Sequence, residues 1–250
     1  LTDCHQYRFV IDPVTQPHPL LEAFGRPTWR ELRAPEEARQ LRKNPVPLAG
    51  GDGQRVVVVP GFLGSDDSVA PLASWLAAGE YDTSVVPLER NVRGSGWAVD
   101  RIVDEIDASS KPTILIGHSR GGQQARVAAV RRPDRIQHLV TLGAPLRHVV
   151  PRHFALRSAV ESLRFASRLG VYRPVDLDDE AEYSADLFAP YALDAPWTSI
   201  WSRSDGFVAW QSCTDPAADS IEIDCSHRGL IESVAAFSAI AAVLQSVTPS

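Results

Sequence analysis

The sequence predicts an α/β fold: a mostly parallel, doubly wound sheet with helices on both faces and a helical cap insertion late in the chain. Three observations carry this. From Arg55 to Leu142, short aliphatic runs alternate with stretches of helical periodicity. The first run, Arg55 to Val59 (RVVVV), is apolar without alternation, the mark of a strand buried on both faces. A tight glycine-flanked turn, Gly117-His118-Ser119-Arg120-Gly121, stands where one such run passes into a helix.

Residues 1–50 are Pro-rich and read as an N-terminal arm packed on the core, with helical composition over Thr28 to Lys43 interrupted by Pro35. The cluster Gly50-Gly51-Asp52-Gly53 is a turn that opens the regular alternation. After the Arg55 to Val59 strand, a helix is expected over Val69 to Ala78 and a strand over Thr83 to Leu88. A second helix follows over Trp97 to Ala108, where Val99, Ile102, Val103 and Ile106 form an apolar stripe. Then come a strand at Thr113 to Ile116, a helix at Arg120 to Arg131 and a strand at Ile136 to Leu142. The rhythm stops between Pro145 and Pro196. There His153 to Leu169 reads as an amphipathic helix, with Leu156, Ala159, Val160, Leu163 and Ala166 on one face. Strands return at Thr198 to Trp201 and Ser220 to Ile223, and Leu230 to Leu244 closes as a helix. The core is therefore expected at 51–145 and 196–250, with 146–195 as a helical cap or lid.

A chain of 250 residues can bury all of this as one α/β unit. Its net charge of −6, with acids and bases interspersed, argues against a nucleic-acid partner, which needs a concentrated basic face. No apolar run approaches a membrane span, and Leu1 to Val10 lacks a signal-peptide apolar region. The expectation is a cytoplasmic protein, or a secreted one if a signal segment was removed before Leu1. The 3 cysteines are too few for a disulfide framework. Cys213 and Cys225 are either a bridge worth about 3 kcal/mol or two reduced thiols.

The serine turn fits the pattern G-x-S-x-G, in which a strained strand-to-helix bend exposes the serine hydroxyl. A bare pentapeptide is weak, but the strand before it and helix after it are the context the chemistry requires. A serine hydroxyl is a poor nucleophile until a base takes its proton, and the base needs a third group to orient it. In hydrolases with this elbow the acid and then the histidine follow the serine. That order removes His5 and His18. His118 lies inside the turn, His138 within a strand, and His148 and His153 before the last strands. His227, on a loop after the final strand, is left as the base. Asp205, in the turn after the Thr198 to Trp201 strand, is the acid. Donors for an oxyanion are expected from the backbone N–H groups of Arg120, just after the nucleophile, and Phe62, in the loop Pro60 to Ser65.

On VVVVPGFLGS, LIGHSRGG, LVTLGAPL, SRSDGFV and CSHRGL, the chain from about Gly50 to Leu244 resembles the α/β-hydrolase superfamily, its lipase/esterase branch in particular. The resemblance implies hydrolysis of a carboxylic ester of a hydrophobic or acyl substrate by Ser119, Asp205 and His227, with no cofactor and no metal. It also implies that Arg93-Gly94 supports the oxyanion loop. That loop opens Pro60-Gly61 where the family usually has His-Gly. A thioesterase, acyltransferase or cyclase would use the same triad, with an acyl carrier as a partner docking on the cap arginines. A non-catalytic binding protein on the same scaffold would be expected to lack a triad member. Phe154, Phe165, Tyr183 and Tyr191 are the expected substrate contacts of the cap.

Overall fold

The computed structural model describes residues 28–48, 50–146, 177–191 and 194–247. Six parallel strands form one sheet: β1 (Arg55–Val59), β2 (Asp82–Val85), β3 (Thr113–His118), β4 (Ile136–Leu142), β5 (Trp197–Trp201) and β6 (Asp219–Glu222). Their order is β2-β1-β3-β4-β5-β6, with every neighbouring pair parallel. The helices are α1 (Ala34–Lys43), α2 (Asp66–Ala78), α3 (Ser95–Asp107), α4 (Arg120–Arg131), α5 (Leu177–Phe188) and α6 (Val234–Val247). The strand order reverses between β1 and β3, which opens a crevice beyond the carboxyl ends of those two strands.

Alternation along each strand divides the core into two layers. On one face Val57 and Val59 of β1, Leu115 and Leu139 pack with Ile102 and Ile106 of α3 and Val127 of α4. On the other, Val56, Val58, Ile114, Ile116 and Val140 pack with Leu72 and Leu76 of α2 and with Phe237 and Ile240 of α6. Both faces of the central strands are covered, which is why their sequences are apolar without interruption.

Differences from expectation are local. α2 starts at Asp66, because two acidic residues suit the positive end of a helix. β2 stops at Val85, two residues before Pro87, which has no N–H to give a ladder. Pro35 lies in the first turn of α1, where no N–H is needed, so it begins that helix rather than interrupting it; Thr28–Arg33 is a separate 3₁₀ helix. The acidic stretch after the expected cap helix is itself helical, as α5. α5 packs on α3 and α4, and Arg126 of α4 donates to the carbonyls of Asp186 (3.0 Å) and Ala189 (2.5 Å) at its end. The expected helix His153 to Leu169 lies outside the described residues. Cys213 and Cys225 are both buried and are not bridged to each other. Among the described residues no helix is long and apolar enough to cross a membrane.

Candidate active site

Ser119 stands between β3 and α4 with φ 54° and ψ −124°, a left-handed backbone that a non-glycine residue adopts at a cost of about 1–3 kcal/mol. Close backbone packing holds it there. Its N–H donates to the Leu142 carbonyl at 2.8 Å. A Cβ on Gly121 would come within 2.5 Å of the Pro60 carbonyl and 2.6 Å of the Val59 carbonyl at the end of β1. A Cβ on Gly117 would lie 2.6 Å from the backbone of Gly121 and Gly122. The bend therefore exists only because both positions lack side chains.

Asp205 and His227 meet at the same edge of the sheet, on the loops that follow β5 and β6. His227 Nδ1 lies 2.6 Å from Asp205 Oδ2, and both side chains are buried. The other carboxylate oxygen accepts the N–H groups of Phe207 and Val208, each at 2.7 Å. Burial alone would lower the pKa of His227, but the charge and hydrogen bond of Asp205, with help from Glu31, outweigh it and raise the value above 6.5. Gly143, with φ 56°, passes beneath the pair; a Cβ there would be 3.3 Å from Asp205 Oδ2 and 3.4 Å from His227 Nδ1. Because Gly143 follows Leu142, the residue that binds the Ser119 amide, strand β4 carries the serine and the His–Asp pair on adjacent residues.

His118 completes this cluster, and sequence reasoning had set it aside. Its ring packs on that of His227 with centroids 4.7 Å apart, and its Nε2 lies 3.1 Å from the His227 carbonyl. Phe207 meets the imidazole of His227 edge-on at 5.5 Å. Burial, then the neighbouring His227, push the pKa of His118 down to about 3, so it stays neutral and can donate to that carbonyl. The signal was its place in the elbow. What could not be read was a partner 109 residues away.

Phe62 and Arg120, the expected oxyanion donors, flank the serine. Gly61 packs so closely that a Cβ would lie 3.1 Å from Ser119 Cβ, which sets Phe62 at the next position of the loop. A buried relay holds that loop. Asn91 Nδ2 donates to the Pro60 carbonyl and to Gln124 Oε1, each at 2.8 Å. The Arg120 guanidinium in turn donates to the carbonyls of Asn91 (2.8 Å) and Arg93 (2.9 Å). The segment Glu89 to Asn91 is left-handed throughout. The Arg93 side chain lies over the Trp97 ring at 3.9 Å and pairs with Glu89 at 3.4 Å, and its backbone carbonyl is what Arg120 grips.

Of the expected cap contacts, Phe154 and Phe165 lie outside the described residues. Tyr183 is buried in the core layer with Leu187, on the α5 face that turns inward onto α3 and α4. Tyr191 packs against the same layer, its ring 4.9 Å from that of Trp197. Among the described residues no group of three or more His, Cys, Asp or Glu is arranged to hold a metal ion.

This architecture is shared. A family model described as "alpha/beta hydrolase fold" matches residues 57–169. The metagenome-derived lipolytic enzymes LipS and LipT are represented by a solved structure that is 17% identical, with TM-score 0.58, covering 80% of this chain and 96% of that one. A monoacylglycerol lipase from Paleococcus ferrophilus is 15% identical, with TM-score 0.57 and coverages of 80% and 97%. A type II thioesterase from the yersiniabactin biosynthetic pathway is 17% identical, with TM-score 0.53 and coverages of 82% and 98%. At such identities the likeness is one of fold. A sequence comparison with curated proteins gives no match. By sheet order, family match and structural likeness the chain has the α/β-hydrolase fold.

Proposed function

We propose that the protein is a serine hydrolase that cleaves carboxylic esters of hydrophobic or acyl substrates through an acyl-enzyme. The supporting observation is the buried His227–Asp205 contact of 2.6 Å beyond the carboxyl ends of the strands, where Ser119 also holds its strained bend. With Nδ1 committed to Asp205, only Nε2 of His227 is left to take a proton. Ser119 Oγ attacks the ester carbonyl carbon as its proton passes to Nε2, and the imidazolium is stabilised by the carboxylate. The oxyanion accepts the N–H groups of Phe62 and Arg120, each worth about 3 kcal/mol in the transition state. Collapse expels the alcohol, which takes the proton from Nε2. Water then attacks the acyl-serine with Nε2 as base, and the acid departs.

In this reading 51–145 and 196–250 are the catalytic core, and 146–195 is a cap whose Phe154 and Phe165 contact the acyl chain. An acyl thioester would suit the same machinery, and the thioesterase neighbour shares the fold. The test is labelling with a fluorophosphonate, followed by turnover of p-nitrophenyl esters and acyl thioesters of graded chain length. Labelling at Ser119 and faster ester turnover are expected. A folded protein that is not labelled there would overturn the proposal, and faster thioester turnover would reassign the substrate.

A further inference from the structure

β6 is the edge of the sheet, only four residues long, and mostly exposed. Beyond β6 no further strand of the sheet flanks the loops that leave β5 and β6, and these loops carry Asp205 and His227. Some N–H groups of these loops are met within them, but those of Gly206, Ser226, His227 and Arg228 go to two carboxylates of the N-terminal segment. Glu31 Oε1 accepts from Gly206, the neighbour of Asp205, at 2.8 Å and from His227 itself at 2.9 Å, while Oε2 accepts from Arg228 at 3.2 Å. Glu37 Oε1 accepts from the Ser226 amide at 3.0 Å, and its Oε2 from the Ser226 hydroxyl. Two arginines complete the attachment: Arg30 donates to the Arg203 carbonyl at 2.8 Å, and Arg33 to both carboxylate oxygens of Asp224 at 3.1 and 3.2 Å.

The loops are shaped for these glutamates. A Cβ on Gly206 would stand 2.7 Å from Glu31 Oε1, and one on Gly229 would run into the Glu37 carboxylate. One oxygen of Glu31 thus ties the acid's loop to the base's backbone, and its fit depends on a missing side chain.

We infer that Glu31 is a positioning residue for the Asp205–His227 pair, and that Thr28–Lys43 is an intramolecular brace through which the N-terminal segment controls the geometry of the proton-transfer machinery. The inference rests on the serine-hydrolase reading above. Glu31 touches no reacting atom; it sets the spacing between two loops, and misplacing a catalytic group by about 1 Å can cost about 10²-fold in rate.

The experiment uses the full chain and its E31A, E31Q, G206A and E36Q variants. Glu36 lies on the adjoining helix α1 and bonds to Arg39 and Gln40 within it, so E36Q controls for charge on the N-terminal segment. E31A should lower kcat by about 10²-fold with KM changed less than about twofold. E31Q keeps the bridging oxygen and should restore kcat to within about fivefold of wild type. G206A should reproduce the E31A loss, and adding E31A to it should cost little more. The downfield Nδ1 proton of His227 in the NMR spectrum, a readout independent of turnover, should shift in E31A and not in E36Q. If wild type labels with fluorophosphonate while E31A keeps its kcat and its downfield proton, the brace is wrong and the hydrolase reading survives. If E31A fails to fold, E31Q and G206A decide: equal loss in both, without a change in the downfield proton, would sink the inference. Failure of wild type to label strikes the hydrolase reading alone, because the proton signal still reports the geometry.

Discussion

The elbow and the His–Asp edge reach one site by opposite routes. Ser119 sits at the centre of the sheet, in a bend made by residues adjacent in sequence and by bare backbone pressed against bare backbone. Asp205 and His227 sit at the sheet's edge, on loops that give N–H groups to Glu31 and Glu37 of the N-terminal segment. The elbow is held by the neighbouring strands of the sheet; the edge is held by a segment outside it. A central position offers neighbours on every side, whereas a short edge strand must borrow them, and the borrowed partners can lie anywhere in the chain.

That contrast can be broken at several points. The largest effects fall on the reacting groups: Ser119→Ala should abolish ester turnover, and Asp205→Asn should cost about 10⁴-fold in kcat, both with unchanged far-ultraviolet circular dichroism. Asp205→Asn should also move the acidic limb of kcat/KM. His227 must be neutral to act as base, so in wild type activity falls as pH drops through its raised pKa, above 6.5. Without the carboxylate that limb moves to lower pH, and an unmoved limb would mean that another group sets it. The stability linked to this histidine has the opposite sign: it is present below its unfolded pKa and lost as pH rises through the raised one.

Gly121→Ala comes next. Its Cβ meets two backbone carbonyls that cannot swing aside, and about 3 kcal/mol of stability should be lost in urea titration. Gly206→Ala meets the Glu31 side chain, which can move, so about 1 kcal/mol is expected. Equal losses would erase the distinction between a rigid elbow and a braced edge. The smallest effect belongs to His118→Gln, which keeps an N–H for the His227 carbonyl but loses the stacked ring. It should lower kcat by about tenfold at most. Because the pKa of His118 is depressed to about 3, its contribution to stability is present above 6.5 and lost as pH falls toward 3. The variant should flatten that acid-side loss in urea midpoints measured across the range.

Much of the site was legible because its signals are local. Gly117, Ser119 and Gly121 announce themselves within five residues, and the apolar runs of β1 and β3 show burial on both faces by composition alone. Asp205 and His227 were reachable because each follows a strand in chain order. His118 was passed over because its contact is with a backbone carbonyl, a partner that leaves no mark in sequence. The burial of Tyr183 against α3 and α4 was not legible, because an amphipathic helix does not say which neighbour its apolar face meets.

By itself, the sequence determined what periodicity and nearest neighbours encode: strands, helices, the bend at Ser119 and the chain order of Ser119, Asp205 and His227. Tertiary structure alone decided that Pro35 begins a helix, that Asn91 and Arg120 fasten the oxyanion loop, and that Glu31 links the loops of Asp205 and His227. For the last two the physical reason is the same. A hydrogen bond is made between groups brought together in space, and for residues from 29 to 196 positions apart only the finished packing does that.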